Sequence, residues 1–203
     1  MHVRASTVGL LVVALALPSR AGGQARSWGI GFDAGLTRFW GASEAVPPNV
    51  TPGARPYRPT TFAVRADRVL GRSRVGLTVS YAASGLGVED QDLTIIAKGG
   101  LTWVQLAPEL AYRLAALGAA TELRVFGGPV ADIWSVEGDD SRTRVGGRAG
   151  LELLVPLGGL VAATMRAHGG VSGSLFRDAD VPAGFRTKTM PNAGFALGFR
   201  FGL

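Results

Sequence analysis

The chain of 203 residues is long enough for one domain, and the absence of cysteine excludes a disulfide framework and a thiolate metal site. A formal net charge of +6 without any run of lysine or arginine argues against nucleic-acid binding. A membrane-spanning helix is excluded too, because the longest apolar run has about ten residues and about 20 are needed.

That apolar run, residues 8–17, predicts an N-terminal signal peptide. It follows Arg4 and precedes the small residues of Ala21-Gly22-Gly23-Gln24-Ala25. A basic start, a short apolar core and small residues near a cleavage point are the three parts of such a peptide. We expect cleavage near Ala25, so that residues 1–25 are the signal peptide and residues 26–203 form one β-barrel domain.

Eight segments of the mature chain alternate apolar residues with small or polar ones, which is the period of a β-strand. The segments cover about residues 28–39, 62–67, 75–82, 103–114, 122–133, 144–155, 161–170 and 192–203. Short turns are predicted at residues 71–73, 115–120 and 156–159, and longer loops at residues 40–60, 85–99, 135–142 and 176–190. Long and short connections therefore alternate, as in hairpin-connected strands with short turns at one rim and long loops at the other.

Two proline positions predict irregularity inside strands. Pro108 lies within the fourth segment, and Gly127-Gly128-Pro129 lies within the fifth. Proline removes a hydrogen-bond donor from the sheet, so we expect an edge position or bulge at the first and a bulge or bend at the second.

Aromatic residues near the segment ends suggest girdles at the two membrane interfaces. They are Trp28, Trp40, Tyr81, Trp103, Tyr112 and Trp134. Trp103 and Trp134 fall on the inward side of the alternation and fit this interpretation less well.

One face of the strands collects charges of both signs. These are Asp33, Arg65, Asp67, Glu109, Arg113, Glu122, Arg124, Asp132, Arg144, Arg148, Glu152, Arg166 and Arg200. An eight-stranded barrel has an interior that side chains can just fill. We therefore expect an ion-pair network that closes the lumen, and an ion-conducting path is the alternative.

The last segment combines an apolar outward face with small or polar residues on the other face. Its outward residues are Phe195, Leu197, Phe199, Phe201 and Leu203. Together with the expected signal peptide and the eight alternating segments, the sequence Phe199-Arg200-Phe201-Gly202-Leu203 resembles the small outer-membrane β-barrel proteins of the OmpA/OmpX type. The resemblance covers nearly all of residues 26–203 and is architectural, and Leu203 stands where the family often has phenylalanine or tryptophan.

The resemblance implies an all-β, eight-stranded antiparallel up-and-down barrel in a bacterial outer membrane. It also implies that the barrel-assembly machinery recognises the outward residues of the last strand. We expect outer-membrane lipid around a monomeric barrel, no nucleic acid and no cofactor. The expected role is structural, or binding of an extracellular ligand through the long loops.

Two other functions remain as alternatives. A lipid-modifying enzyme embedded in the barrel would need a histidine, a nucleophile and an acid in contact. His168 has Ser172 and Ser174 nearby in sequence, but four strand residues separate His168 from Ser172 by about 13 Å. A soluble lipocalin-like barrel would be apolar inside and polar outside, the reverse of this pattern. We therefore expect no enzymatic activity.

Overall fold

The computed structural model describes residues 27–45, 54–89, 94–118, 121–136, 138, 140–177 and 185–203. In these ranges the chain forms eleven strands: β1 (Trp28–Phe39), β2 (Ser43–Ala45), β3 (Ala54–Tyr57), β4 (Thr60–Leu70), β5 (Ser73–Glu89), β6 (Thr94–Leu117), β7 (Thr121–Val136), β8 (Arg142–Gly158), β9 (Val161–Ser172), β10 (Phe185–Thr187) and β11 (Met190–Gly202). No helix in these ranges is long and apolar enough to cross a membrane. The predicted signal peptide, residues 1–25, lies outside the described residues.

Eight of the strands close into an antiparallel barrel, which confirms the predicted fold class. Consecutive strands from β4 to β9 pair with one another, and β1 pairs with β4 and with β11, which in turn pairs with β9. The closing β1–β11 ladder is continuous from Gly29 opposite Gly202 to Phe39 opposite Asn192. Closure removes free sheet edges from the barrel wall.

The two faces of the wall have opposite chemistry. Outward residues such as Phe32, at 52% exposure, and Phe199, at 51%, are large and apolar. The neighbouring inward residue Asp33 is only 6% exposed. An apolar exterior around a polar interior is the pattern of a barrel surrounded by lipid.

The barrel strands are longer than the alternation alone predicts. β5 and β6 extend to Glu89 and Thr94, so much of the predicted 85–99 loop is a hairpin. Short strands also form inside two other predicted loops: β3 pairs with β5, and β2 pairs with β10. Pro56 lies in β3, which has a ladder partner on one side only, where a missing N–H is tolerated.

The two predicted proline irregularities meet in one place. Pairs at Leu106–Ala131 and Leu110–Gly127 keep the same register, so Pro108 lies opposite Pro129 in an interruption of the β6–β7 ladder. The ladders on the far sides of both prolines are intact. Each proline nitrogen therefore points at the other strand, and two hydrogen bonds cannot form there. The ladder is therefore interrupted at the two prolines rather than bulged. The bulge of the β6–β7 ladder lies elsewhere, between Arg113 and Ala115.

The predicted aromatic girdle is wrong for two of its members. Trp103 and Trp134 are 2% and 0% exposed and lie inside the barrel. Trp40, Tyr81 and Tyr112 are exposed. The inward register of the two buried tryptophans decides their location, because successive strand residues point to opposite faces.

Candidate functional site

Half of the barrel interior, toward the short turns, is filled by a chain of alternating charges. Glu152 on β8 accepts hydrogen bonds from Arg65 Nη1 at 2.6 Å and from Arg74 Nη1 at 3.1 Å. Asp67 on β4 accepts a hydrogen bond from Arg200 Nη2 at 2.6 Å, and its Oδ1 atom lies 3.4 Å from Arg74 Nε. Arg74 thus joins the two carboxylates, and the chain links side chains of four strands, β4, β5, β8 and β11.

A second cluster is centred on Glu109 of β6. Its two carboxylate oxygens accept from Arg148 Nη2 at 2.5 Å and from Arg166 Nη2 at 2.8 Å, and Thr78 Oγ1 also donates, at 3.0 Å. The guanidinium of Arg166 stacks on the ring of Phe126 at 3.9 Å. All three charged groups are buried, so their mutual pairing offsets the cost of removing them from water.

The remaining inward acids have mixed partners. Asp33 lies 3.6 Å from Arg65 and accepts a hydrogen bond from Thr164 at 2.9 Å. Asp132 accepts from Trp103 Nε1 at 2.9 Å and from Gln105 Nε2 at 2.8 Å rather than from an arginine. Polar side chains therefore continue the hydrogen-bond network from the charged clusters toward the long-loop rim.

Glu122, Arg113 and Arg124 lie together at the short-turn rim. Glu122 accepts from Arg113 at 3.0 Å and from Arg124 Nη2 at 2.5 Å, and its side chain is 20% exposed. Arg144, near the opposite rim, donates instead to the carbonyls of Ser174 and Phe176. The structure thus brings most of the expected inward charges into contact, whereas Arg144 has no carboxylate partner in the part of the chain that the structure describes.

Two buried arginines are missing from the set that the sequence pattern predicts. Arg74 is 4% exposed, and Arg142 is 6% exposed with Nη1 donating to the Leu175 carbonyl at 3.1 Å. Both have the inward register of the predicted strand that follows. Arg74 lies one residue before the predicted start at residue 75, and Arg142 lies two residues before the predicted start at residue 144. Extending those two strands by one pair of residues would have identified them.

The other half of the interior, toward the long loops, is capped by aromatic side chains. The ring of Phe39 packs edge-on against Trp103 at 5.4 Å and Trp134 at 5.3 Å, and the two tryptophans stack at 5.8 Å. Leu175 and Met190 belong to the same buried core and are fully buried. We call this cluster of five side chains the aromatic cap.

Small cavities lie between these groups. One of about 30 Å³ is lined by Thr37, Thr61, Thr78, Arg148 and His168, among others. Another, of about 10 Å³, lies among the charges around Arg65 and Arg74. Volumes of this size accommodate about one water molecule each.

The geometry around His168 does not assemble a nucleophile and a base. His168 is half-buried and lines the cavity of about 30 Å³. Ser174 Oγ donates to the Ala42 carbonyl at 2.6 Å, and Ser172 Oγ has no hydrogen-bond partner. Neither serine is therefore activated by the histidine. In the described part of the chain, no group of three histidine, aspartate or glutamate side chains could hold a metal ion.

At the long-loop rim, three strands continue beyond the barrel wall. The last β6–β7 pair joins Leu101 to Val136, whereas β6 begins seven residues earlier, at Thr94. β5 pairs with this segment up to Glu89, and β3 pairs with the other edge of β5. We call β3 with residues 85–89 and 94–100 the protruding sheet. Within the described residues, the second edge of residues 94–100 has no ladder partner.

Comparison with solved structures identifies the architecture. Neisserial surface protein A superposes with a TM-score of 0.56 at 8% identity, covering 88% of this chain and 98% of that one. The outer membrane protein AlkL, determined in lipid bilayers, superposes with a TM-score of 0.54 at 10% identity, covering 93% and 95%. No family model and no curated protein matches the chain. The chain therefore has the fold of small eight-stranded outer-membrane barrels.

Proposed function

We propose that this protein is an exported, integral outer-membrane barrel that does not conduct ions and that binds a partner at the cell surface through its protruding sheet. The observation that carries the proposal is the inverted distribution of polarity in a closed barrel. Buried charges fill the interior, and large apolar residues such as Phe62, at 58% exposure, cover the exterior. A soluble barrel with a ligand inside requires the opposite arrangement.

The interior supports a closed lumen. The Glu152 and Glu109 clusters cross the barrel from several strands, and the aromatic cap lies above them. An ion would have to displace paired guanidinium groups that are held at hydrogen-bond distance. The cavities beside the clusters leave room for about one water molecule rather than for a file of them.

The last strand supports export and assembly by the outer-membrane machinery. Its five outward residues are between 38% and 59% exposed, from Phe201 to Leu203. The N–H of Leu203 donates to the Trp28 carbonyl at 2.9 Å, so the strand joins the first strand along its whole length. We propose that the machinery reads this apolar face before the barrel closes, and that the signal peptide of residues 1–25 directs export.

Binding at the cell surface is supported by the edge of the protruding sheet that has no ladder partner among the described residues. An unpaired strand edge offers a row of backbone donors and acceptors to an extended segment of a partner. Residues 94–100 provide such an edge beyond the level at which β7 ends. The proposal assigns no enzymatic activity, since the residues around His168 lack a catalytic arrangement.

Membrane insertion is tested by fractionation and gel migration. The mature chain should be recovered from the membrane fraction only with detergent, and boiled and unboiled samples should migrate differently. Recovery in soluble periplasm would refute the proposal. In planar bilayers the purified protein should show no stepwise conductance.

Surface binding is tested by shortening the hairpin. Replacing residues 86–99 by Asn-Gly should remove the protruding sheet and leave the Ser84–Leu101 pair and the barrel below it intact. Cross-linking on intact cells, followed by mass spectrometry, should lose a partner with the short hairpin that the full chain retains. Identical cross-linked partners for both chains would exclude the protruding sheet as the binding element.

A further inference from the structure

The outward face of β11, β1 and β4 contains an apolar groove. Ala34 on β1 lies directly opposite Phe62 of β4 and Leu197 of β11. Since alanine is much smaller than these neighbours, a groove of about 460 Å³ opens above it. Its walls also include Phe32, Val64 and Phe199.

Two arginines lie on the same outward face, between this groove and the long-loop rim, and Leu36 separates Ala34 from Arg38 along β1. Arg38 follows Ala34 by four residues on the same outward face, a distance of about 13 Å along the strand. Its guanidinium lies 5.4 Å from the centre of the Trp40 ring. Arg58 stacks on Tyr57 at 5.9 Å, and the hydrogen bond from Thr37 N–H to the Pro59 carbonyl at 3.1 Å brings the two segments together.

These two arginines differ from those in the lumen. Both are exposed, and among the described residues neither takes part in a salt bridge. Arg58 has a φ of +34°, a backbone conformation that non-glycine residues adopt at a cost and that is common at ligand clamps. On β8 and β9, the outward residues at this rim include the uncharged Thr143 and Val171.

We propose that this face binds one phosphorylated lipid of the outer leaflet, with its phosphate at Arg38 and Arg58 and one acyl chain in the groove over Ala34. Guanidinium groups recognise phosphate with paired N–H donors. The neighbouring aromatic rings suit the headgroup level of a membrane. The groove lies on the short-turn side of the arginines, which is the direction in which the acyl chains of an outer-leaflet lipid run from its headgroup. The inference rests on the proposed membrane insertion.

The test is lipid retention by the purified full chain, measured by native mass spectrometry from detergent. The probe is diphosphorylated lipid A, and the same lipid without phosphates is the reference. We expect the phosphorylated probe to be retained at least tenfold better. The double substitution Arg38→Ala and Arg58→Ala should abolish that preference. Ala34→Trp, or the smaller Ala34→Leu, should lower retention of both probes by filling the groove.

Matched controls use equivalent residues away from the site. Arg68, at the short-turn rim of the same strands, stacks on Trp28 at 5.8 Å, and Ala149 is an outward alanine on β8. Arg68→Ala and Ala149→Trp should leave retention unchanged. Equal loss in these controls, or no loss in the site variants, would overturn the lipid site.

The two proposals can fail separately. Every variant is first tested for membrane recovery and heat-modifiable migration. A wild-type chain that lacks both properties contradicts membrane insertion. A chain that has both, but retains the two lipid probes equally, contradicts only the lipid site.

Discussion

Two seams of the barrel wall differ in how they are held together. The closing seam between β1 and β11 has an unbroken ladder of eleven residue pairs. The seam between β6 and β7 is interrupted where Pro108 faces Pro129. The seam between strands that are neighbours in the chain is therefore less regular than the seam between the first and last strands of the barrel.

Buried ion pairs span both seams. Glu109 on β6 reaches across β7 to Arg148 on β8, next to the two prolines. Asp67 on β4 reaches across β1 to Arg200 on β11, alongside a complete backbone ladder. The ion pair of Glu109 therefore spans a seam that lacks two backbone hydrogen bonds, and the ion pair of Asp67 spans one that lacks none.

The largest effect should come from Glu109→Ala. It leaves Arg148 and Arg166 buried without their carboxylate, so the free energy of unfolding should fall by about 3–5 kcal/mol. Urea unfolding in lipid vesicles, followed by tryptophan fluorescence, measures this. The control Glu122→Ala, at the partly exposed rim, should cost about 1 kcal/mol or less. Equal losses would show that burial of the pairs is irrelevant.

Asp67→Asn tests the closing seam and should cost less, about 1.5–3 kcal/mol. The amide oxygen still accepts from Arg200, and Arg74 keeps its hydrogen bond to Glu152. The same unfolding assay applies. A loss as large as that of Glu109→Ala would mean that the complete ladder gives the closing seam no advantage.

Gly128→Ala tests the close approach at the interrupted seam. A Cβ at this position would overlap the carbonyl oxygen of Pro108, so the free energy of unfolding should fall by about 1–3 kcal/mol. At Gly147, the nearest atom to an added Cβ is 3.8 Å away. Gly147→Ala is therefore the control, and its effect should stay within about 0.5 kcal/mol.

The smallest effect is expected from Pro108→Ala. The new N–H can donate to the Pro129 carbonyl, which should stabilise the barrel by about 1 kcal/mol. Hydrogen exchange should then detect a slowly exchanging amide at residue 108. Rapid exchange at that amide would contradict the placement of Pro108 directly opposite Pro129.

The sequence predicted the strands and their faces well because a period of two is a local property. Asp33, Arg65 and Glu152 lie inside, and Phe195 and Phe199 lie outside, as the alternation requires. Strand ends were less predictable. Arg74 follows a turn sequence, and its inward position depends on how far pairing with β4 continues.

Alternation, charge and turn residues by themselves determined that this chain forms eight barrel strands with a polar face and an apolar face. Only the tertiary structure decided which arginine pairs with which carboxylate. It also decided that Phe39, Trp103 and Trp134 meet in one cap, and that Pro108 faces Pro129. The reason is that alternation orients each side chain relative to its own strand, whereas contacts depend on the register between strands and on closure of the barrel.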